Sequence, residues 1–245
     1  MADLLYTELL KLKRSKMFLL SFIGAAIAPF MVVIATFVHI KTKDPTQVVL
    51  FEELFYDANL YTTLLIGVPL YGVVTAYLFN REYAEDTLKN LLTIPVSRSA
   101  IILSKMLLLS IWIMLLTLQA WGLTLLLGVL CGFDGLSAGL IAASFREFLV
   151  CGAFLIVLST PVVLTAIVLK NYVPTIVLTI LITLINVMGS TSEYKGLIPW
   201  TAAFDIANGT LLSEYPAYYS YTIIAATSLI GFIAALVYFR RADIQ

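Results

Sequence analysis

Six apolar runs dominate the chain: Met17–Ile40, Leu60–Phe79, Ala100–Cys131, Phe148–Leu169, Tyr172–Gly189 and Tyr221–Phe239. A helix needs about 20 apolar residues to cross the hydrocarbon core of a bilayer. Each run is about that long or longer, so the predicted fold is all-α, a polytopic membrane protein with six transmembrane helices. Only 12% of the 245 residues are charged, against about 25% in a soluble domain, and the mean hydropathy is +0.98. The run Ala100–Cys131 exceeds one crossing, so it is expected to tilt or to project beyond the bilayer.

Orientation follows from where the basic residues fall. Lys11, Lys13, Arg14, Lys16, Arg81, Lys89, Arg98, Lys105, Lys170, Arg240 and Arg241 collect on one side, against Lys41, Lys43, Arg146 and Lys195 on the other. Eleven against four places both termini in the cytoplasm. Ala26-Ile27-Ala28 resembles a signal-peptide cleavage site, but the apolar run continues to Ile40 and exceeds an ordinary signal sequence. It is read as a retained helix. Before it, Leu5, Leu9 and Leu12 fall on one side of a short amphipathic helix suited to the headgroup plane. The net charge is zero, so no nucleic-acid footprint is present.

The longest polar interruption runs from Asn80 to Lys105. If Arg81 to Leu92 is helical, Glu85 and Lys89 stand one turn apart with the acid first, the favoured order, and Arg81 faces Glu85 in the reverse order. Leu88, Leu91 and Leu92 then form a narrow apolar stripe beside the charges. Pro95 disfavours helix at Ile94, and Ser97 or Ser99 is placed to cap the next helix. From spacing alone a solvated loop with a common Glu/Lys pair is the favoured reading.

The residues Glu85-Asp86-Thr87-Leu88-Lys89, Leu91-Leu92, Pro95-Val96-Ser97-Arg98 and Ser104-Lys105 resemble the cytoplasmic loop of bacterial ABC-2 type permeases. The likeness is greatest to the small permeases of bacitracin-resistance and lantibiotic-immunity transporters. Their usual pattern has Gly where Asp86 stands. The basic N-terminal segment, the six-span layout and the short C-terminal stub share the resemblance.

That resemblance implies a coupling helix between the second and third spans that docks on a separate ABC ATPase subunit. Glu82, Glu85, Asp86, Leu88, Leu91, Leu92 and Arg98 would be its contacts. It also implies short re-entrant helices within Thr191–Ser220, between the fifth and sixth spans, and a second permease copy as partner in a homodimer. The setting would be a bacterial cell membrane, with membrane lipid as a further partner. The cargo would be a peptide antibiotic or its lipid-linked target. Two alternatives stay open: extrusion of sodium or hydrophobic drugs by the same machinery, and a non-transporting sensor or accessory subunit.

The chemistry missing from the sequence points the same way. An ion-coupled carrier places acids or histidine inside its spans, whereas all fifteen acids fall in apparent loops or flanks. No G-x-x-x-x-G-K-[ST] phosphate loop occurs, so ATP hydrolysis must come from another subunit. The lone His39, and the lack of G-x-S-x-G or H-E-x-x-H, leave no constellation for an enzyme. No cofactor or metal is expected. Gln119, with Thr117 nearby, and Asn186 are the polar residues assigned to a pathway or to helix packing. Cys131 and Cys151 stand near the outer ends of their spans and are read as unpaired thiols rather than as a disulfide. Gly128-x-x-x-Gly132 suggests close helix packing. Trp200, Tyr194, Tyr215, Tyr218, Tyr219 and Tyr221 fit an interfacial aromatic belt.

Overall fold

A computed structural model describes residues 2–13, 15–42, 50–85, 97–211, 214 and 216–241. The described residues are helical and form no strand, apart from one isolated bridge between Leu50 and Asp134. A short helix α1 (Ala2–Lys13) precedes α2 (Lys16–Thr42). Next, α3 (Phe51–Leu60) runs through a π-helical turn at Tyr61–Ile66 into α4 (Gly67–Ala84). The long α5 (Arg98–Cys131) follows, then α6 (Ala138–Leu158) and α7 (Thr160–Leu169), then α8 (Tyr172–Gly189). A 3-10 turn at Lys195–Leu197 leads into α9 (Pro199–Asn208), and α10 (Tyr218–Arg241) ends the described chain. Among the described residues, six helical stretches are long and apolar enough to cross a membrane.

Two of these stretches far outrun their apolar runs. The second spans Phe51–Ala84 and the fourth Ala138–Leu169, so parts of Lys41–Asn59 and Gly135–Glu147 are helix, not loop. The cause is a second periodicity: Phe51, Leu54, Phe55 and Ala58 are buried against Val32, Val33, Ala120 and Phe148, while Glu52, Glu53 and Asp57 face outward. The expectation that every acid lies in a loop or flank is therefore corrected. Glu52, Glu53, Asp57, Glu82 and Glu147 belong to helices that continue into the spans. At about 1.5 Å per residue a 34-residue helix such as Phe51–Ala84 is roughly 50 Å long, well beyond the ~30 Å hydrocarbon core.

The second, third and fourth spans form the buried centre, and the first, fifth and sixth lie around it. Close approach is set by small residues. A Cβ on Gly72 would come within 2.3 Å of Thr179 Cγ2, and one on Gly128 within 2.4 Å of Phe51. Gly132 has a different role from the one its spacing suggests. It meets no neighbour and takes φ 72° at the end of α5, the left-handed cap position that favours glycine.

The fourth span breaks between Leu158 and Thr160, where Pro161 cannot donate to the Val157 carbonyl. That carbonyl instead accepts from Ser228 Oγ at 2.9 Å and Thr160 Oγ1 at 3.1 Å, and Thr160 Oγ1 also donates to Ser228 O at 2.8 Å. Gly231 lets α10 come this close, since a Cβ there would sit 2.6 Å from the Pro161 nitrogen. The break is thus filled by a neighbouring helix, as a non-helical carbonyl in lipid requires.

On the side away from α1, α9 is buried through Trp200 to Asp205. Lys195 Nζ donates to Asp205 Oδ1 at 3.0 Å, and Thr210 Oγ1 donates to the same oxygen at 2.8 Å. Asn208 Oδ1 accepts from Asn59 at 3.2 Å and so ties α9 to α3. Trp200 packs into the core, which corrects its place in the aromatic belt. Tyr194, Tyr218, Tyr219 and Tyr221 are exposed, and Tyr215 lies outside the described residues. Both cysteines are free, Cys131 exposed and Cys151 buried.

Candidate functional site

The last turn of α4 is the meeting point of one end of the bundle. Charged residues deep in a hydrophobic bundle are costly unless paired, and here five of them converge. Lys105 Nζ donates to Glu82 Oε1 and to the Leu78 carbonyl, each at 2.7 Å, and stands 3.5 Å from Glu8 Oε2. Lys11 Nζ lies 2.7 Å from Glu8 Oε1 and 3.4 Å from Glu82 Oε1. Arg81 Nη2 approaches Glu8 Oε2 at 3.6 Å and Glu82 Oε1 at 3.5 Å, while its Nη1 donates to the Tyr77 hydroxyl at 3.3 Å.

Burial makes this cluster different from a surface ion pair. The side chains of Glu8, Arg81, Glu82 and Lys105 are all under one-tenth exposed, and only Lys11, at 33%, reaches solvent appreciably. Three cations share two carboxylates, so removing either acid strands buried positive charge. Surface pairs contribute about 0–1 kcal/mol, whereas breaking a buried pair costs about 3–5 kcal/mol. These five residues lie on three different elements: Glu8 and Lys11 on α1, Arg81 and Glu82 on α4, and Lys105 on α5.

Two further contacts extend the convergence. Asn80 Nδ2 donates to the Asn171 carbonyl at 3.0 Å, binding α4 to the tight turn between α7 and α8. Lys170 Nζ sits 5.6 Å from the centre of the Tyr83 ring, a cation–π distance. Residues 80 to 83 together therefore reach α1, α5 and the turn between α7 and α8.

From this junction the chain enters the polar segment and returns at α5. Glu85 closes α4 as an exposed residue. Ser97 Oγ accepts from Ala100 N at 3.2 Å and caps α5, as its position suggested. Arg98 Nη1 donates to the Arg240 carbonyl at 3.3 Å, and Arg240 Nε donates to Ser99 Oγ at 2.8 Å. Both ends of the segment are thus anchored, one to α1, α5 and the α7–α8 turn, the other to the end of α10.

The sequence-derived contact residues divide accordingly. Glu85 and Arg98 lie at the two anchors, and Glu82 lies inside with its carboxylate turned to Lys105. Asp86, Leu88, Leu91 and Leu92 are outside the described residues, as is Lys89. Arg81 pairs with Glu8 and Glu82 instead of stacking on Glu85. Glu8, Lys11, Arg81 and Lys105 are the members that sequence reasoning did not assign. The available signal was Lys105, a lysine inside an apolar run, which has to find a partner.

The remaining polar assignments fall between helices. Thr117 Oγ1 is 2.8 Å from the Tyr71 hydroxyl, joining α5 to α4. Gln119 Nε2 donates to the Phe22 carbonyl at 2.8 Å, joining α5 to α2. Asn186 is fully buried, with no hydrogen-bond partner on either side-chain atom. Among the described residues no cluster of three or more His, Cys, Asp or Glu is arranged to hold a metal ion.

Comparison with known proteins identifies the family. The chain is 53% identical over 205 residues to the bacitracin transport permease protein BCRB of Bacillus licheniformis, a match covering 84% of this chain and 99% of that protein. Residues 4–186 match the profile described as ABC-2 family transporter protein. With three-quarters of its length inside that profile, from α1 through most of α8, the chain belongs to the ABC-2 transporter family.

Proposed function

We propose that this chain is the membrane subunit of an ATP-driven exporter that moves a peptide antibiotic of the bacitracin type, or its lipid-linked target, out of a bacterial cell membrane. The family supports a permease, and the name of the 53% identical relative supports the cargo class. Hydrolysis would occur on a separate ABC ATPase subunit, acting on two copies of this chain. Both termini and the segment 85–98 would face the cytoplasm, in keeping with the excess of basic residues there. The helix α9 would cap the pathway from the outer leaflet.

The observation that carries the coupling role is the buried ionic cluster. A partner pressing on the segment between α4 and α5 meets a support whose charged side chains already bind α1, α4 and α5 together. Glu85, Asp86, Leu88, Leu91, Leu92 and Arg98 would make the contact, and Glu82 would carry it inward through Lys105. Displacement of the segment would then move the second and third spans and α1 as one body.

Co-purification in mild detergent tests this. The double substitution Glu85→Arg with Leu88→Asp is expected to abolish retention of the ATPase while leaving the chain in the membrane. Undiminished complex formation and transport would contradict the assignment.

A further inference from the structure

At the π turn the second span departs from α geometry for a reason that its sequence supplies. Gly67 N donates to Thr62 O, one residue further back than in an α-helix, and a Cβ on Gly67 would lie 2.1 Å from that oxygen. Two residues on, Pro69 has no N–H, so the Leu65 carbonyl loses the donor that an α-helix would provide. At Pro161 the equivalent carbonyl is met by Ser228 and Thr160.

What faces the π turn is unpaired. The helix α8 runs antiparallel to α4, with Asn171 against Asn80 and Thr179 against Gly72. Eight residues back along α4 thus match eight forward along α8, and seven more bring Asn186 level with Leu65. The buried face Thr175, Thr179, Ile182, Thr183 and Asn186 confirms that Asn186 points to this side. Both polar atoms of its carboxamide are buried without a partner, and the Thr62 hydroxyl, one turn outward, is buried without one too. Buried amides are almost always hydrogen-bonded, and where protein offers no partner an ordered water does so.

We propose that Asn186 holds an internal water at this level, bridging its carboxamide to the Leu65 carbonyl, and that the hydrated π turn is the joint about which α3 moves relative to α4. A water ligand suits a joint because it exchanges partners as the turn widens or tightens. Side-chain plugs such as Ser228 fix a break in one geometry. Bends in helices arise at prolines, at π turns and where water enters the ladder, and all three causes coincide here. The inference concerns this chain alone and stands whether or not an ATPase binds the segment 85–98.

Water-to-protein magnetisation transfer, measured by solid-state NMR on the full chain in lipid bilayers, tests the site. Asn59 is the internal control, since its carboxamide is engaged by Asn208 and Thr63. Fast transfer to the Asn186 side chain and slow transfer to Asn59 is expected. Transfer to Asn186 no faster than to Asn59 overturns the proposal.

Spin-label distances test the joint, in a background with Cys131 and Cys151 replaced by alanine. Labels at the exposed positions Glu53 and Tyr219 report on the α3 side, and labels at Leu19 and Val237 on the other. Gly67→Ala and Asn186→Leu are each expected to remove the broad component of the first distribution and to leave the second unchanged. Should Gly67→Ala fail to fold, Asn186→Leu decides. An unaltered Glu53–Tyr219 distribution overturns the joint.

Discussion

The junction at the end of α4 and the break at Pro161 hold helices together by opposite means. At the junction, Glu8, Lys11, Arg81, Glu82 and Lys105 share charges over distances from 2.7 to 3.6 Å. At the break, a glycine, a serine and a threonine meet backbone at contact distance. Charge attraction falls off slowly with distance, whereas dispersion is largely lost within an ångström. A shared ionic cluster can therefore deform and keep most of its energy, while a packed break holds one position. The first suits a place where movement enters the bundle, the second a place that must stay fixed.

Substitutions at the two places sharpen this contrast. Glu82→Leu is expected to have the largest effect, about 3–5 kcal/mol, because it leaves Lys105 and Arg81 buried with too little negative charge. The mid-point of denaturation in a mixed-micelle titration would measure it, and a change below about 1 kcal/mol would place the cluster with ordinary surface pairs. Gly231→Ala comes next. Its new methyl must displace the backbone at Pro161, at a cost of about 1–3 kcal/mol in the same titration.

Ser228→Ala should cost least, about 0.6 kcal/mol, since a polar contact in a membrane protein contributes little on average and Thr160 still reaches the Val157 carbonyl. A loss above about 2 kcal/mol would show that the break depends on that one hydroxyl. Equal losses at all three positions would erase the contrast between junction and break.

The same contrast explains what the sequence revealed. The spans were legible because each is a long apolar run. The helix α3 was hidden because Glu52, Glu53 and Asp57 interrupt the run, and only the spacing of Phe51, Leu54, Phe55 and Ala58 betrays its buried face. The role of Ser97 as a cap was legible because a cap is local. The ionic cluster was not, because Lys105 meets Glu8 from 97 residues away and Glu82 from 23. Glu82 stands among charged neighbours in the sequence, and nothing there distinguishes an inward carboxylate from an outward one.

ATP-driven clearance of labelled bacitracin from proteoliposomes, with the ATPase subunit present, tests the account most directly when made on Glu82→Gln. This variant keeps the shape of the side chain and removes its charge. The expected result is an ATPase that still binds the permease and still hydrolyses ATP, with clearance lost or severely reduced. Clearance at the unmodified rate would contradict a route for coupling through the end of α4.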